Sequence, residues 1–208
     1  MKTIISLSDT HSREENIILK HSADIIITAG DFTTNNTGEG IFNYLDWYAK
    51  LDIEYKIIVS GNSDGEFIDE NRKEFLQYCD YHNIIYLEDS SIIIDGIKIY
   101  GTPWTMAYSN NQGFGLKNDK KLYKKYKKIP LDTDILITHN PAHGILDMTK
   151  KMGNAGSKSL LKVIKKLDNL KIHFFGHIHE QSGIRFINNT QFVNCAYNKE
   201  QPYKIILL

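Results

Sequence analysis

Cysteine is nearly missing from this chain: among 208 residues only Cys79 and Cys195 carry a thiol. One pair cannot supply the disulfide framework of a small secreted domain, so a reducing, cytoplasmic setting is expected. Proline is scarce too, at four residues, and hydrophobic residues make up 41%, which excludes a disordered chain. No stretch approaches the ~18 consecutive apolar residues of a membrane span. The opening MKTIISLSDTH turns polar too early for the apolar region of an export signal. Net charge is also lacking, with 25 basic against 25 acidic side chains, so overall charge does not draw this molecule to nucleic acid.

What is present suits one layered domain over residues 1–208, with 12 Tyr and 9 Phe for a sizeable core. The balanced charge hides an asymmetry. Residues 1–104 hold 8 basic and 18 acidic side chains, and residues 105–208 hold 17 and 7. One half can supply carboxylates for cations and the other a favourable field for an anion.

The first half alternates two patterns. Apolar runs at 2–6, 24–28 and 55–59 read as buried strands, and helical signals fall at 12–21, 40–51 and 70–78. Continuous apolar strands separated by helices predict βαβ units and a parallel sheet covered on both faces. The second half adds hairpin signals at Asp95-Gly96 and Asn188-Asn189 and strands at 134–138, 172–175 and 203–208. Helices are expected at 117–127 and at 157–167, the latter capped by Ser157. The sum is an α/β fold with mixed sheets, two packed rather than one open.

Five of the loops carry metal-ligand residue types just after an apolar strand. They read Leu7-Ser8-Asp9-Thr10-His11, Gly30-Asp31-Phe32-Thr33, Gly61-Asn62-Ser63-Asp64, Thr138-His139-Asn140 and Gly176-His177-Ile178-His179. In α/β folds such strand ends collect at one edge, so Asp9, His11, Asp31, Asn62, His139, His177 and His179 can converge. Oxygen and imidazole donors without thiolate suit two divalent ions, Mn²⁺ first, with Fe²⁺, Zn²⁺ or Ni²⁺ as alternatives. Two such ions ~3.5–4 Å apart form a clamp for in-line displacement at phosphorus. The glycines before Asp31, Asn62 and His177 are expected to permit tight turns.

This ordered set, DxH, GD, GNxD, H and GHxH, resembles the calcineurin-like metallophosphoesterase superfamily. The segments GDFT (30–33), GTPW (101–104), THNPAHGILD (138–147) and GHIHE (176–180) are similar to its compact MPPED-like phosphodiesterase branch. The resemblance implies a two-sheet mixed β sandwich flanked by helices, a four-layer α/β/β/α fold with a dinuclear site at one edge. It implies that Asp9, His11 and His179 hold one ion, that Asn62, His139 and His177 hold the other, and that Asp31 bridges them. The implied activity is hydrolysis of a small-molecule phosphoester, a diester before a monoester, by in-line attack of a metal-activated hydroxide. Asp31, Asn62 and His143 are the catalytic candidates, and Asn62, Ser63 and His143 the substrate-side ones.

One position departs from the pattern. Many relatives read GNHD, where the histidine can protonate a leaving group, and this chain has Ser63. A serine hydroxyl lies outside the range a general acid needs near neutral pH. That leaves room for a rival, a metal-binding module of the same fold with weak turnover. A third reading is a nuclease using Lys117–Lys128, which holds seven lysines with Tyr123 and Tyr126 between them. The expectation there is a solvated helix with its tyrosines turned inward. Asp64 is expected to support its loop. His143 is either an ordinary surface histidine or a substrate-side group. Gly153–Ser159 lacks the glycine spacing of a P-loop. His21, His82 and His173 lie outside the motifs.

Overall fold

The computed structural model describes residues 2–34, 36–107 and 113–208. Eleven strands of three or more residues stand among them. They are β1 (Thr3–Leu7), β2 (Ile25–Ala29), β3 (Tyr55–Val59), β4 (Ile84–Tyr86), β5 (Ser90–Ile94) and β6 (Ile97–Thr102), followed by β7 (Ile135–Thr138), β8 (Ile172–Phe175), β9 (Gly183–Ile187), β10 (Thr190–Asn194) and β11 (Lys204–Leu207). The helices are α1 (Gly38–Ala49), α2 (Gly65–Glu70), α3 (Arg72–Tyr81), α4 (Asp119–Tyr126) and α5 (Lys158–Ile164).

The strands form two sheets. The first runs β11-β1-β2-β3-β4, parallel except for β11. The second runs β9-β10-β8-β7-β6-β5, with four parallel strands in the middle and a hairpin at each edge. Side chains alternate across each sheet with period two, which sorts the apolar runs into three cores. Ile25 and Ile27 join Ile57, Ile99, Ile137 and Phe174 between the sheets. Ile26 and Ile58 turn to Tyr44, Tyr48 and Phe75 of α1 and α3. Leu136 and Phe175 meet Leu122 and Leu160 of α4 and α5. Helices therefore cover both outer faces, in the expected four layers. No helix among the described residues is long and apolar enough to cross a membrane.

Local signals account for most boundaries. Helix α1 starts where the Thr37 side chain accepts from Gly40 N, and it buries Ile41, Tyr44, Leu45 and Tyr48 on one face. Ser157 caps α5 through Leu160 N at 3.0 Å. Asp95 and Gly96 sit at φ 48° and 79°, the left-handed pair of a two-residue hairpin turn. In the lysine-rich segment Tyr126 is buried and its hydroxyl donates to Trp104 O at 2.6 Å. Lys125 and Lys128 lean on Asp89, at 3.7 and 3.6 Å.

One helical expectation changes. Residues 12–21 hold only a single 3-10 turn, Glu14–Asn16. The amides of His11 and Ser12 donate to Asp31 O and Phe32 O, so the chain is tied to a neighbouring loop and not to its own next turn. The helix expected at 70–78 forms as α3 from Arg72 on, and α2 ends just before it at Glu70, with the break at Asn71, whose side chain donates to Phe67 O.

His173 ties this scaffold to the site. The Thr138 hydroxyl donates to Asn140 O at 2.6 Å and so accepts from His173 Nε2, 2.9 Å away. The ring is fully buried, and burial pushes its pKa down to about 3. In the unfolded chain it titrates near 6.5, so the unfolded state takes up the proton first and stability falls as pH drops from about 6.5 toward 3. The unfolding free energy of wild type, measured against His173→Gln in urea, should fall by about 1.4 kcal/mol per pH unit between pH 6 and 4. A difference independent of pH would mean that His173 titrates normally.

Candidate metal centre

The five loops meet at the carboxyl ends of β1, β2, β3, β7 and β8. Their backbone is strained where the candidate ligands sit: Asp9, His11, Asp31 and His177 have φ of 54°, 47°, 52° and 70°. Left-handed backbone at non-glycine residues is costly and collects at functional sites. Of the three preceding glycines only Gly30 has a positive φ. Gly61 and Gly176 serve close approach instead. A Cβ on Gly61 would stand 2.2 Å from Asp31 Oδ1, and one on Gly176 would stand 2.2 Å from Asp9 Oδ2.

Two clusters result, Asp9 with His11 and His179, and Asp31 with His139 and His177, each with one donor atom per residue inside 4.8 Å. In the first, His11 Nδ1 donates to Thr33 O at 3.1 Å, which turns its Nε2 toward His179 Nε2 at 3.3 Å. In the second, His139 Nδ1 donates to Ala29 O at 2.8 Å, which turns its Nε2 toward His177 Nδ1 at 3.1 Å and Asp31 Oδ2 at 3.4 Å. His177 joins the clusters, since its backbone N–H donates to Asp9 Oδ2 at 2.9 Å.

These donors fit divalent ions on the evidence of their own unmet needs. Asn62 Oδ1 is buried without a hydrogen-bond partner, and the buried Asp9 Oδ1 has the His179 Nε2 beside it at 3.3 Å. The imidazole nitrogens of His11 and His179 face each other at 3.3 Å and those of His139 and His177 at 3.1 Å, pairs that can share one N–H as a hydrogen bond or turn both lone pairs to an ion. Burial opposes charge on His139, but Asp31 and Asp9 beside it push its pKa up to about 10. Burial and the charge of His139 push His177 down to about 4. Burial would raise both carboxyls, yet His139 and His177 hold Asp31 far below the usual range, and contact with His179 lowers Asp9.

Asn62 stands beside the second cluster through Ser63, whose amide and hydroxyl reach Asp31. His143 joins neither cluster. It lies on the 139–157 loop with its side chain 33% exposed and Nδ1 3.9 Å from Asp147 Oδ2. Asp147 is buried and braces that loop by accepting from Gly144 N, Gly156 N and Asn154 Nδ2. Sequence reasoning missed three braces. Asp147 is one; Arg13, which donates to Thr10 O and Asp9 O and lies over Tyr197, is another. The third is Asn194, whose amide joins Leu146 O to Ile178 O. Only Asp147 gave a hint, as the last residue of the 138–147 segment.

The chain belongs to the calcineurin-like phosphoesterase family, whose model matches residues 2–181. It is 35% identical to the human metallophosphoesterase domain-containing protein 1 over 92% of this chain and 65% of that one, so it spans just under two thirds of that relative. It is 32% identical to a UPF0046 protein of Caenorhabditis elegans, over 93% of this chain and 69% of that one. Its fold matches the crystal structure of TT1561 of Thermus thermophilus with a TM-score of 0.67 at 13% identity, over 93% and 88% of the chains.

Asp64 is fully buried and supports the loops, as expected. It accepts from Asp31 N, Thr33 N, Gly61 N and the Thr33 hydroxyl at 2.8–3.0 Å. Asp64→Ala leaves three buried amides unpaired at about 1–3 kcal/mol each. Urea unfolding should show a loss of at least about 3 kcal/mol; a loss under about 1 kcal/mol would deny Asp64 this role.

Proposed function

We propose that the protein is a dinuclear metal-dependent phosphodiesterase acting on a small-molecule phosphodiester, with Mn²⁺ as its working metal. The observation that carries this reading is the pair of joined clusters, each of carboxylate and imidazole, with the buried, unpartnered Asn62 Oδ1 beside them. Asp9, His11 and His179 would hold one ion, Asn62, His139 and His177 the other, and Asp31 would serve both. Two divalent ions supply charge at the phosphoryl oxygens and a water acidic enough to attack near neutral pH. The absence of thiolate among the donors favours Mn²⁺ over softer choices.

The chain's own residues set the rest. His11 and His139 keep their outward nitrogens on backbone carbonyls, so the inward ones stay oriented as donors. Ser63 gives the leaving group no acid, which favours diesters with stable leaving anions over alkyl monoesters. His143 would sit on the substrate side, with Asp147 below it.

Purified protein should take up two Mn²⁺ and lose activity reversibly on chelation. Asp31→Asn should be the most damaging of the ligand changes on an aryl phosphodiester, because one carboxylate holds both ions against mutual repulsion. Full turnover by Asp31→Asn with two ions bound would end the assignment.

Leaving groups give a second test. General acid catalysis is worth about 10²–10⁴-fold, so aryl phosphodiesters should outrun alkyl monoesters by at least that margin. Efficient alkyl monoester hydrolysis that survives His143→Ala would contradict the role given to Ser63.

A further inference from the structure

Ser63 does more than leave an acid out. Its backbone N–H donates to Asp31 Oδ1 at 2.8 Å, and its hydroxyl donates to Asp31 Oδ2 at 3.0 Å. One residue thus holds both oxygens of the carboxylate on which the two clusters turn. The same hydroxyl lies 3.5 Å from Asn62 Nδ2, on the amide's donor side. That contact keeps the Asn62 nitrogen occupied and leaves Asn62 Oδ1 as the buried, unpartnered atom.

We propose that Ser63 is a positioning residue for metal binding: its hydroxyl fixes the rotation of Asp31 and the amide orientation of Asn62 before an ion arrives. The inference rests on the dinuclear reading above. A carboxylate has about four lone-pair sites, and Ser63 uses one on each oxygen. One site per oxygen is left, and the one on Oδ2 has His139 Nε2 3.4 Å away. Aspartate and asparagine side chains each lose rotational freedom when they ligate, and a neighbour that has already fixed them lowers that cost. Partners of this kind around a metal are worth about 10–100-fold in affinity. Serine at this place therefore directs its only polar group at the ligands, and the substrate side of the loop is left without a reacting side chain.

The test is Mn²⁺ binding, followed by titration calorimetry and by the spin-coupled signal of a manganese pair, with thermal midpoints as the control for folding. Wild type should bind two ions and show the coupled signal. Ser63→Ala keeps the backbone donor and loses the hydroxyl. It should bind one ion about tenfold or more weakly, with the coupled signal delayed to higher Mn²⁺ and the metal-free thermal midpoint little changed. Ser63→Thr retains the hydroxyl and should restore tight binding. If wild type binds two ions and Ser63→Ala binds both equally tightly or more tightly, the positioning role is wrong and the dinuclear reading stands. If both variants lose the second ion alike, the hydroxyl is not the cause and the role is again wrong. Fewer than two ions in wild type would overturn the dinuclear reading and this inference together.

Discussion

A negative charge buried at the meeting point of two sheets is the constraint around which the rest is arranged. Asp31 is 4% exposed, and burial alone would drive it to the neutral form. His139 and His177 beside it, with the donors of Ser63, keep it ionised. Each of these groups needs support in turn. His139 leans on Ala29 O, and Asp64 gathers the amides on both sides of Asp31.

The backbone carries a related tension. Four candidate ligands sit in left-handed conformations directly after strands, a geometry that β-branched strand residues could not adopt. Parallel strands anchored by three apolar cores hold their ends within a narrow range, so the loops have little freedom to relax. Strain in the loops is offset by packing in the layers.

Much of this is legible in the residues. The continuous apolar runs at 24–28 and 55–59 announce doubly covered parallel strands, and Asp95-Gly96 announces its hairpin. The seven donor positions are readable because strand ends in such a fold converge by topology alone. The helix expected over 12–21 does not form, and nothing local reveals that His11 and Ser12 give their amides to the Asp31 loop. The glycines are readable as special, but the reason at Gly61 and Gly176 is steric proximity to carboxylates far away in the chain.

Composition, periodicity and motif order, all properties of residues near one another in the chain, determined the fold class, the chemistry of the donors and the absence of an acid at Ser63. The tertiary structure alone decided which nitrogen of His11 and of His139 faces inward, because that depends on the carbonyls of Thr33 and Ala29, which other segments supply. It alone assigned the bracing to Arg13, Asp147 and Asn194 and turned Ser63 onto Asp31. Hydrogen-bond partners that lie far apart in sequence are chosen by packing, and packing is set only when the two sheets close on each other.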